Sequence, residues 1–250
     1  MRCITPRTTH ATRPASPATD VDRFRHLITT ALLAGAAAGL ILFVVQHLTI
    51  VPLIDLAEGY EDAAAHAHSP AAHAHGDAGH VHEDAGWQPA PGLQRIGLTA
   101  LTTVLSGIGF AAVLLAAMRM AGARLDWRRG LLWGLAGFAC FVLAPALGLP
   151  PKPPGAAVGD LHARQLWWFG TVAATAIGLS LICRPSGLRW LGAVLLLVPH
   201  LLGAPPPIGE DLVPRDLMLR FAALSVATNL LFWMVLGTIC GWFQGRNQPI

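Results

Sequence analysis

Six histidines lie in one short stretch of the sequence, HAHSPAAHAHGDAGHVH, which runs from residue 66 to residue 82. They form three His-x-His units, made by His66 and His68, by His73 and His75, and by His80 and His82. In an extended backbone residues i and i+2 point to the same side, so each unit predicts a two-nitrogen clamp for a metal ion. Imidazoles with nearby carboxylates suit Co²⁺, Ni²⁺, Zn²⁺ or Cu²⁺ better than Mg²⁺ or Cu⁺. The stretch predicts metal binding; the alternative is a solvated low-complexity loop without selectivity.

Other polar residues lie near the ends of apolar segments, where they could carry an ion deeper. These candidates are His47, Glu58, Glu61, Asp160, His162 and His200. Because polar groups are costly inside a bilayer, they usually face a bundle interior or an aqueous path. Together they predict a path from the histidine-rich loop into the protein. Taken alone, His47 or His200 is more simply interpreted as a hydrogen-bonding residue between helices.

The composition limits the class of protein that could hold such a site. Of the 250 residues, 54% are hydrophobic and only 12% are charged, against about a quarter charged in soluble domains. The net charge of +3 comes from scattered arginines and one lysine, which does not indicate a nucleic-acid surface. The sequence has no P-loop, no nucleophile elbow, no zinc-protease motif and no dinucleotide fingerprint. It therefore predicts a membrane protein that is not an enzyme and has no enzymatic cofactor.

The elements that must position these residues are apolar segments. They cover approximately residues 27–54, 93–118, 130–149, 165–183, 188–203 and 221–243. Most reach the roughly 20 residues needed to cross a bilayer, so the predicted fold is an all-α polytopic membrane bundle of about six transmembrane helices. The fifth segment is short, and Pro199 and His200 interrupt it. It either crosses the membrane or is re-entrant, in which case the C-terminus changes sides.

Basic residues predict the orientation of this bundle. If all six segments cross, only Arg95, Lys152, Arg164, Arg215 and Arg220 of the 17 Lys and Arg fall on one side. The positive-inside rule then places both termini in the cytoplasm. Residues 55–92 become an external loop, rich in His and without Lys or Arg. Residues 1–22 predict a disordered cytoplasmic tail, or an assigned start upstream of the true one, and residues 23–246 form the membrane domain.

Small residues and cysteines indicate how the bundle packs. Three small-xxx-small patterns, GAAAG (35–39), GLLWG (130–134) and GTICG (237–241), predict close approach between helices. The four cysteines are isolated from one another, which predicts small buried hydrophobic residues rather than a disulfide or zinc framework.

Several long strings resemble the CbtA family of predicted cobalt-transporter subunits. They are DWRRGLLWGLAGFACFVLAPALGLPPKPPG (126–155), DLHARQLWWFGTVAATAIGL (160–179), VPHLLGAP (198–205) and ATNLLFWMVLGTICGW (227–242), with VPLIDLAEGYE (51–61) and GWQPAPGLQR (86–95). The resemblance implies a subunit of a cobalt uptake system in the bacterial inner membrane, linked to cobalamin synthesis. It also implies a small CbtB-type partner with one membrane span and a His-rich end. Gln165 and Asn229 lie in these strings and join the candidates by chemistry alone, although Asn229 could simply bridge helices.

The functional hypothesis combines the loop with the resemblance. A transport subunit would capture divalent cobalt, or alternatively Ni²⁺ or Zn²⁺, at the external histidines and pass it between the helices. The alternative is a metal-binding accessory or sensor protein that does not transport by itself.

Overall fold

The fold is a bundle of long helices, seen in a computed structural model that describes residues 17–68, 89–90, 92–122, 125–184 and 187–246. The helices are α1 (Pro17–Thr49), α2 (Val51–His68), α3 (Leu93–Met120), α4 (Trp127–Phe138), α5 (Ala144–Gly148), α6 (Leu161–Cys183), α7 (Arg189–Leu202) and α8 (Arg215–Gly245). A π-helical segment, Ala139–Leu143, joins α4 to α5. Within those ranges the only extended pairing is an isolated bridge between Val158 and Ile208. The predicted all-α fold is confirmed.

Five stretches are long and apolar enough to cross a membrane: Phe24–Thr49, Leu93–Met120, Trp127–Gly148, Leu161–Cys183 and Arg215–Gly245. The predicted fifth segment forms α7, which has only 14 residues. At 1.5 Å per residue α7 is about 21 Å long, shorter than the roughly 30 Å hydrocarbon core.

Two hydrogen bonds show how α7 runs relative to α6. The Trp167 indole, near the start of α6, donates to the Pro199 carbonyl oxygen near the end of α7, at 3.2 Å. The Ile208 amide beyond α7 donates to the Val158 carbonyl oxygen ahead of α6, at 3.2 Å. Because α7 ends where α6 begins, it runs antiparallel to α6 and returns to the end of the bundle at which α6 starts.

Two ends of the bundle can now be named. The loop end carries α2 and the loops of residues 149–160 and 203–214. The opposite end, the far end, carries the α3–α4 connection, and Gly245 at the end of α8 lies against Leu125 there. Helix α1 runs antiparallel to α3, with Gly35 beside Ile108 and Gly39 beside Val104. The described chain therefore begins and ends at the far end.

Glycines set the closest helix contacts, as the sequence predicts. A Cβ built on Gly39 of α1 would lie 2.8 Å from the Val104 Cα of α3. A Cβ built on Gly237 of α8 would lie 2.6 Å from the Gly134 Cα of α4. No real side chain tolerates such distances, so all three predicted patterns lie at helix–helix contacts.

The π-helical segment shapes the centre of the bundle. The Ala144 amide donates to the Ala139 carbonyl oxygen, five residues back, and Pro145 has no amide to bond the Phe141 carbonyl in an α-helical ladder. In this segment Phe141 stacks on Trp233, with ring centroids 5.5 Å apart, and meets Phe110 edge-on at 5.3 Å. Aromatic rings fill the core here.

Two helices extend past the predicted segment boundaries. Helix α1 begins at Pro17, so residues 17–22 are helical rather than disordered, while residues 1–16 lie outside the described chain. Residues 55–68 are also helical, since α2 continues to His68. The reason is local: AEGYEDAAAHAH is rich in Ala and Glu, which favour helix, and Pro52 lies in the first turn, where proline is tolerated.

Candidate functional site

Helix α2 is an acidic cap held on the loop end of the bundle. The Glu58 carboxylate accepts two hydrogen bonds from the Arg95 guanidinium at the start of α3, one of them 3.3 Å long. Ala57 is fully buried and packs with Val213 and Leu217 at the start of α8. The cap therefore fixes the acidic residues directly above the bundle.

The histidine stretch is only partly described. His66 is exposed on the last turn of α2. Successive helical residues are rotated by about 100°, so positions 66 and 68 are about 200° apart. The backbone here is thus helical, and metal binding by this first unit stays a prediction. His73, His75, His80 and His82 lie outside the described residues.

The predicted carboxylate ligands have other partners in the structure. Glu58 binds Arg95, as described above. Glu61 lies beside the 149–160 loop, where a Cβ on Gly155 would come 2.8 Å from its Cγ. Asp160 caps α6, since its Oδ1 accepts from the Ala163 amide at 2.8 Å. Of these three carboxylates, Glu58 joins two helices, whereas Asp160 caps its own helix.

The remaining predicted ligands are dispersed. His47 stacks on Phe43 with ring centroids 5.7 Å apart, and His200 meets Trp167 edge-on at 6.0 Å. His162 is exposed on the first turn of α6. In the described part of the chain no group of three or more His, Cys, Asp or Glu side chains could hold a metal ion. The structure does not bring the predicted residues into one site, and their metal roles stay predictions.

A polar cavity of about 240 Å³, here the seam cavity, lies between α1, α3 and α8. Its polar lining consists of Gln46, Thr102, Thr103, Ser106 and Asn229. The cavity contains no charged side chain among its described lining residues. Uncharged oxygen-bearing groups from three helices thus meet at a pocket that is partly open, since Thr102 and Ser106 are exposed.

Several hydrogen-bond acceptors line the seam cavity. The hydroxyl groups of Thr102 and Thr103 donate back to carbonyl oxygens of α3, at 2.9 and 2.7 Å. The Asn229 Nδ2 donates to the Ser225 carbonyl oxygen at 2.8 Å. With these donors occupied, the hydroxyl lone pairs and the Asn229 Oδ1 remain. Such oxygens can replace part of the hydration shell of a cation.

The seam cavity is closed toward the far end by aromatic side chains. Phe110 and Phe232 line it, and both pack against Trp233, with ring centroids 5.2 and 5.7 Å away. Trp233 is 2% exposed and fits over Gly137, where a Cβ would meet its ring. An ion in the seam cavity could move on only if these rings moved.

A second and larger cavity, of about 560 Å³, lies at the loop end between the π-helical segment, α5 and α6. We call it the Arg164 cavity, because Arg164 lines it together with Lys152. Asn229 lines both cavities. The two basic side chains oppose entry of a bare divalent cation, so the seam cavity is the better cation site.

Sequence reasoning missed most of the seam cavity. Thr102, Thr103 and Ser106 lie close together on one face of α3, and this spacing could have indicated a polar site. Asn229 was a candidate, but its amide bonds within α8 rather than to another helix. From the sequence, Lys152 and Arg164 contributed only to the predicted orientation of the bundle in the membrane.

The fold and the cavities define a polytopic α-helical membrane protein with polar groups converging inside the bundle. The chain belongs to the CbtA family, described as a probable cobalt transporter subunit, whose family model matches residues 24–245. The predicted family is therefore confirmed. No curated protein matches the chain, and neither does any solved structure. At the level of the family, the protein is a transporter subunit and not an enzyme, and a subunit implies a partner.

Proposed function

We propose that this chain is the subunit that conducts divalent cobalt across the bacterial inner membrane, supplying cobalt for cobalamin synthesis. The observation that carries the proposal is the seam cavity. It presents acceptor oxygens from α1, α3 and α8 beneath the acidic cap, in a chain that belongs to a cobalt-transporter family. Ni²⁺ and Zn²⁺ are the competing ions at the imidazoles, whereas the neutral oxygens of the seam cavity also suit Mg²⁺.

In this proposal the histidine stretch captures metal ahead of the bundle. It leaves α2 at the loop end, and α2 adds carboxylates, of which Glu61 and Asp62 belong to its last three turns. The stretch and the cap would raise the metal concentration at the mouth of the bundle. The predicted external position of the loop end places this capture outside the cell.

No nucleotide is required for inward movement. Two charges that cross a potential of 100 mV, negative inside, gain about 4.6 kcal/mol, twice the value for one charge. The basic residues Arg119, Arg128, Arg184 and Arg246 belong to the far end, which agrees with a cytoplasmic far end under the positive-inside rule.

A second candidate function follows from the aromatic closure. Because Phe110, Phe232 and Trp233 fill the bundle below the seam cavity, the chain could bind metal and leave conduction to its partner. The partner in either case is a small His-rich membrane subunit of the CbtB type. This is the accessory or sensor role that the sequence also allowed.

Flux in proteoliposomes separates the two functions. The full chain is reconstituted alone and with the candidate partner, and uptake of radioactive Co²⁺ is followed under an inside-negative potential, with Ni²⁺ and Zn²⁺ as competitors. Cobalt entry with the chain alone supports conduction by this chain. Binding without entry, followed by entry when the partner is added, supports the accessory role. If cobalt neither binds nor enters in either preparation, the proposed function is contradicted.

The role of the histidines is tested in cells at limiting cobalt. All six loop histidines are changed to Gln, and the matched control changes Ala67, Ala71, Ala72, Ala74 and Ala78 to Gln while keeping every histidine. We expect the first variant alone to accumulate less cobalt. Equal accumulation by both variants would remove the histidine stretch from the mechanism.

A further inference from the structure

The Arg164 cavity has the composition of a ligand site. Its volume of about 560 Å³ lies within the range of roughly 300–1,000 Å³ typical of small-molecule pockets, which combine apolar walls with a few polar groups. Lys152 and Arg164 line it, and no Asp or Glu does so among the described residues. The loop end has few basic residues, so two of them at one cavity indicate an anionic ligand.

The net charge at the cavity is close to +1. The Lys152 ammonium donates to the Ala157 carbonyl oxygen at 2.5 Å and lies 3.9 Å from the Asp211 Oδ1, which offsets its charge. The Arg164 guanidinium forms no hydrogen bond or ion pair with any residue that the structure describes. Asp160, one turn earlier, bonds the Ala163 amide instead. The cavity therefore matches a monoanion.

The walls of the cavity are apolar and continue onto the surface of α6. Phe141, Trp168 and Phe169 line it. Phe169 is 63% exposed, and Leu166 on the same helix is 74% exposed. In a membrane such a surface faces the acyl chains. A ligand of this site can therefore carry a hydrocarbon tail joined to its anionic group.

We infer that the Arg164 cavity binds one anionic phospholipid, with its phosphodiester on the Arg164 guanidinium and an acyl chain against Phe169 and Trp168. A guanidinium binds phosphate oxygens through two parallel hydrogen bonds, which an ammonium cannot do. A zwitterionic lipid fits less well, because its choline ammonium has the same sign of charge as the Arg164 guanidinium. This site is separate from the proposed cation route and does not depend on it.

The test uses the purified full chain in nanodiscs of equimolar phosphatidylglycerol and phosphatidylcholine. Native mass spectrometry then counts the lipids that stay bound. We expect wild type to retain phosphatidylglycerol over phosphatidylcholine by about tenfold, because only phosphatidylcholine adds a cationic group that the Arg164 guanidinium repels. Arg164→Gln should remove this preference, and Arg164→Lys should keep part of it. The matched control is Arg220→Gln, which changes an exposed arginine of α8 outside the cavity.

Three results would overturn the inference: no preference in wild type, an unchanged preference in Arg164→Gln, or an equal loss in Arg220→Gln. Inorganic phosphate is added in a parallel sample, because a soluble anion could use the same guanidinium. Retention of the lipid supports the lipid site, while its displacement by phosphate contradicts it. If Arg164→Gln does not fold, salt is titrated into wild type, and a preference that resists high salt would also contradict the inference.

Discussion

The backbones of Gly130 and Gly237 touch across the α4–α8 contact, so that a Cβ on either residue would overlap the carbonyl oxygen of the other. Gly134 and Gly241 extend the same contact by one helical turn in each direction. Without a hydrophobic driving force between helices in lipid, such close packing is a main source of helix association. This pair of helices is therefore the part of the bundle most sensitive to added volume.

Gly237→Ala should destabilise the protein. The added methyl group must displace backbone, which costs about 1–3 kcal/mol for overpacking. Thermal unfolding in detergent micelles, followed by tryptophan fluorescence, measures the change.

The matched control for that variant is Gly109→Ala in α3, where a Cβ would meet no atom within 4 Å. Alanine favours helix over glycine by about 1 kcal/mol, so the control should be neutral or more stable. Equal melting temperatures for the two variants would show that the α4–α8 contact is not as close as described.

The Glu58–Arg95 ion pair should hold the acidic cap on the bundle. Its side chains are 39% and 47% exposed, so the pair contributes only about 0–1 kcal/mol. Glu58→Gln should raise hydrogen exchange in the amides of α2 by a few-fold at most, since Ala57 stays buried against α8. The exchanged pair, Glu58→Arg with Arg95→Glu, should restore protection.

Cobalt uptake by that exchanged pair separates docking from metal binding at Glu58. We expect uptake to be retained, because both Glu58 oxygens are occupied by Arg95. Lost uptake with a protected α2 would instead identify Glu58 as a metal ligand, as the sequence predicts.

Asn229→Leu should reduce cobalt flux while leaving capture at the histidine stretch intact. Loss of one buried polar partner costs about 2 kcal/mol, which corresponds to roughly a 30-fold change. Asn229→Asp keeps an oxygen and should transport. Thr238→Val is the control, because the Thr238 hydroxyl bonds the Met234 carbonyl oxygen in the same helix, outside both cavities. Wild-type flux in Asn229→Leu would exclude the seam cavity from the route.

The orientation of the bundle can be tested with a membrane-impermeant maleimide. Cys183 is exposed at the end of α6, whereas Cys140 and Cys240 are buried. In a Cys3→Ser background, Cys183 should react only after the cells are permeabilised. A cysteine introduced by Glu210→Cys in the exposed α7–α8 loop should react in intact cells. Labelling of both positions from the same side would mean that α7 does not cross.

The sequence was sufficient for the class of fold and for three of the stretches at which helices come close, although not for which helices meet. Long apolar segments predict spans because lipid offers the backbone no other hydrogen-bond partners. The patterns at residues 35–39, 130–134 and 237–241 predict close approach because only small side chains permit it. The Gly178 and Gly192 contact between α6 and α7 was missed, since its two members lie in different helices and form no motif.

The candidate site was less predictable. The sequence predicted ligands from charged and imidazole side chains, but the carboxylates have different contacts in the structure. Glu58 binds Arg95, Glu61 lies beside Gly155, and Asp160 caps its own helix. The neutral groups of the seam cavity, such as Thr103 and Asn229, can be recognised as a site only in the folded protein, where α1, α3 and α8 place them around one cavity. Helix propensity also extended α2 into the predicted loop, which removed the geometry expected for His66 and His68.

By itself the sequence determined an all-α membrane bundle and its family, because hydropathy, small-residue spacing and long family strings are properties of the chain alone. Tertiary structure decided that α7 returns to the loop end, that the acidic segment forms a docked cap, and that Lys152 and Arg164 line one cavity while the other has no charged lining residue among those described. These features depend on which helix faces meet, and the free energy of that packing is shared among residues far apart in the chain.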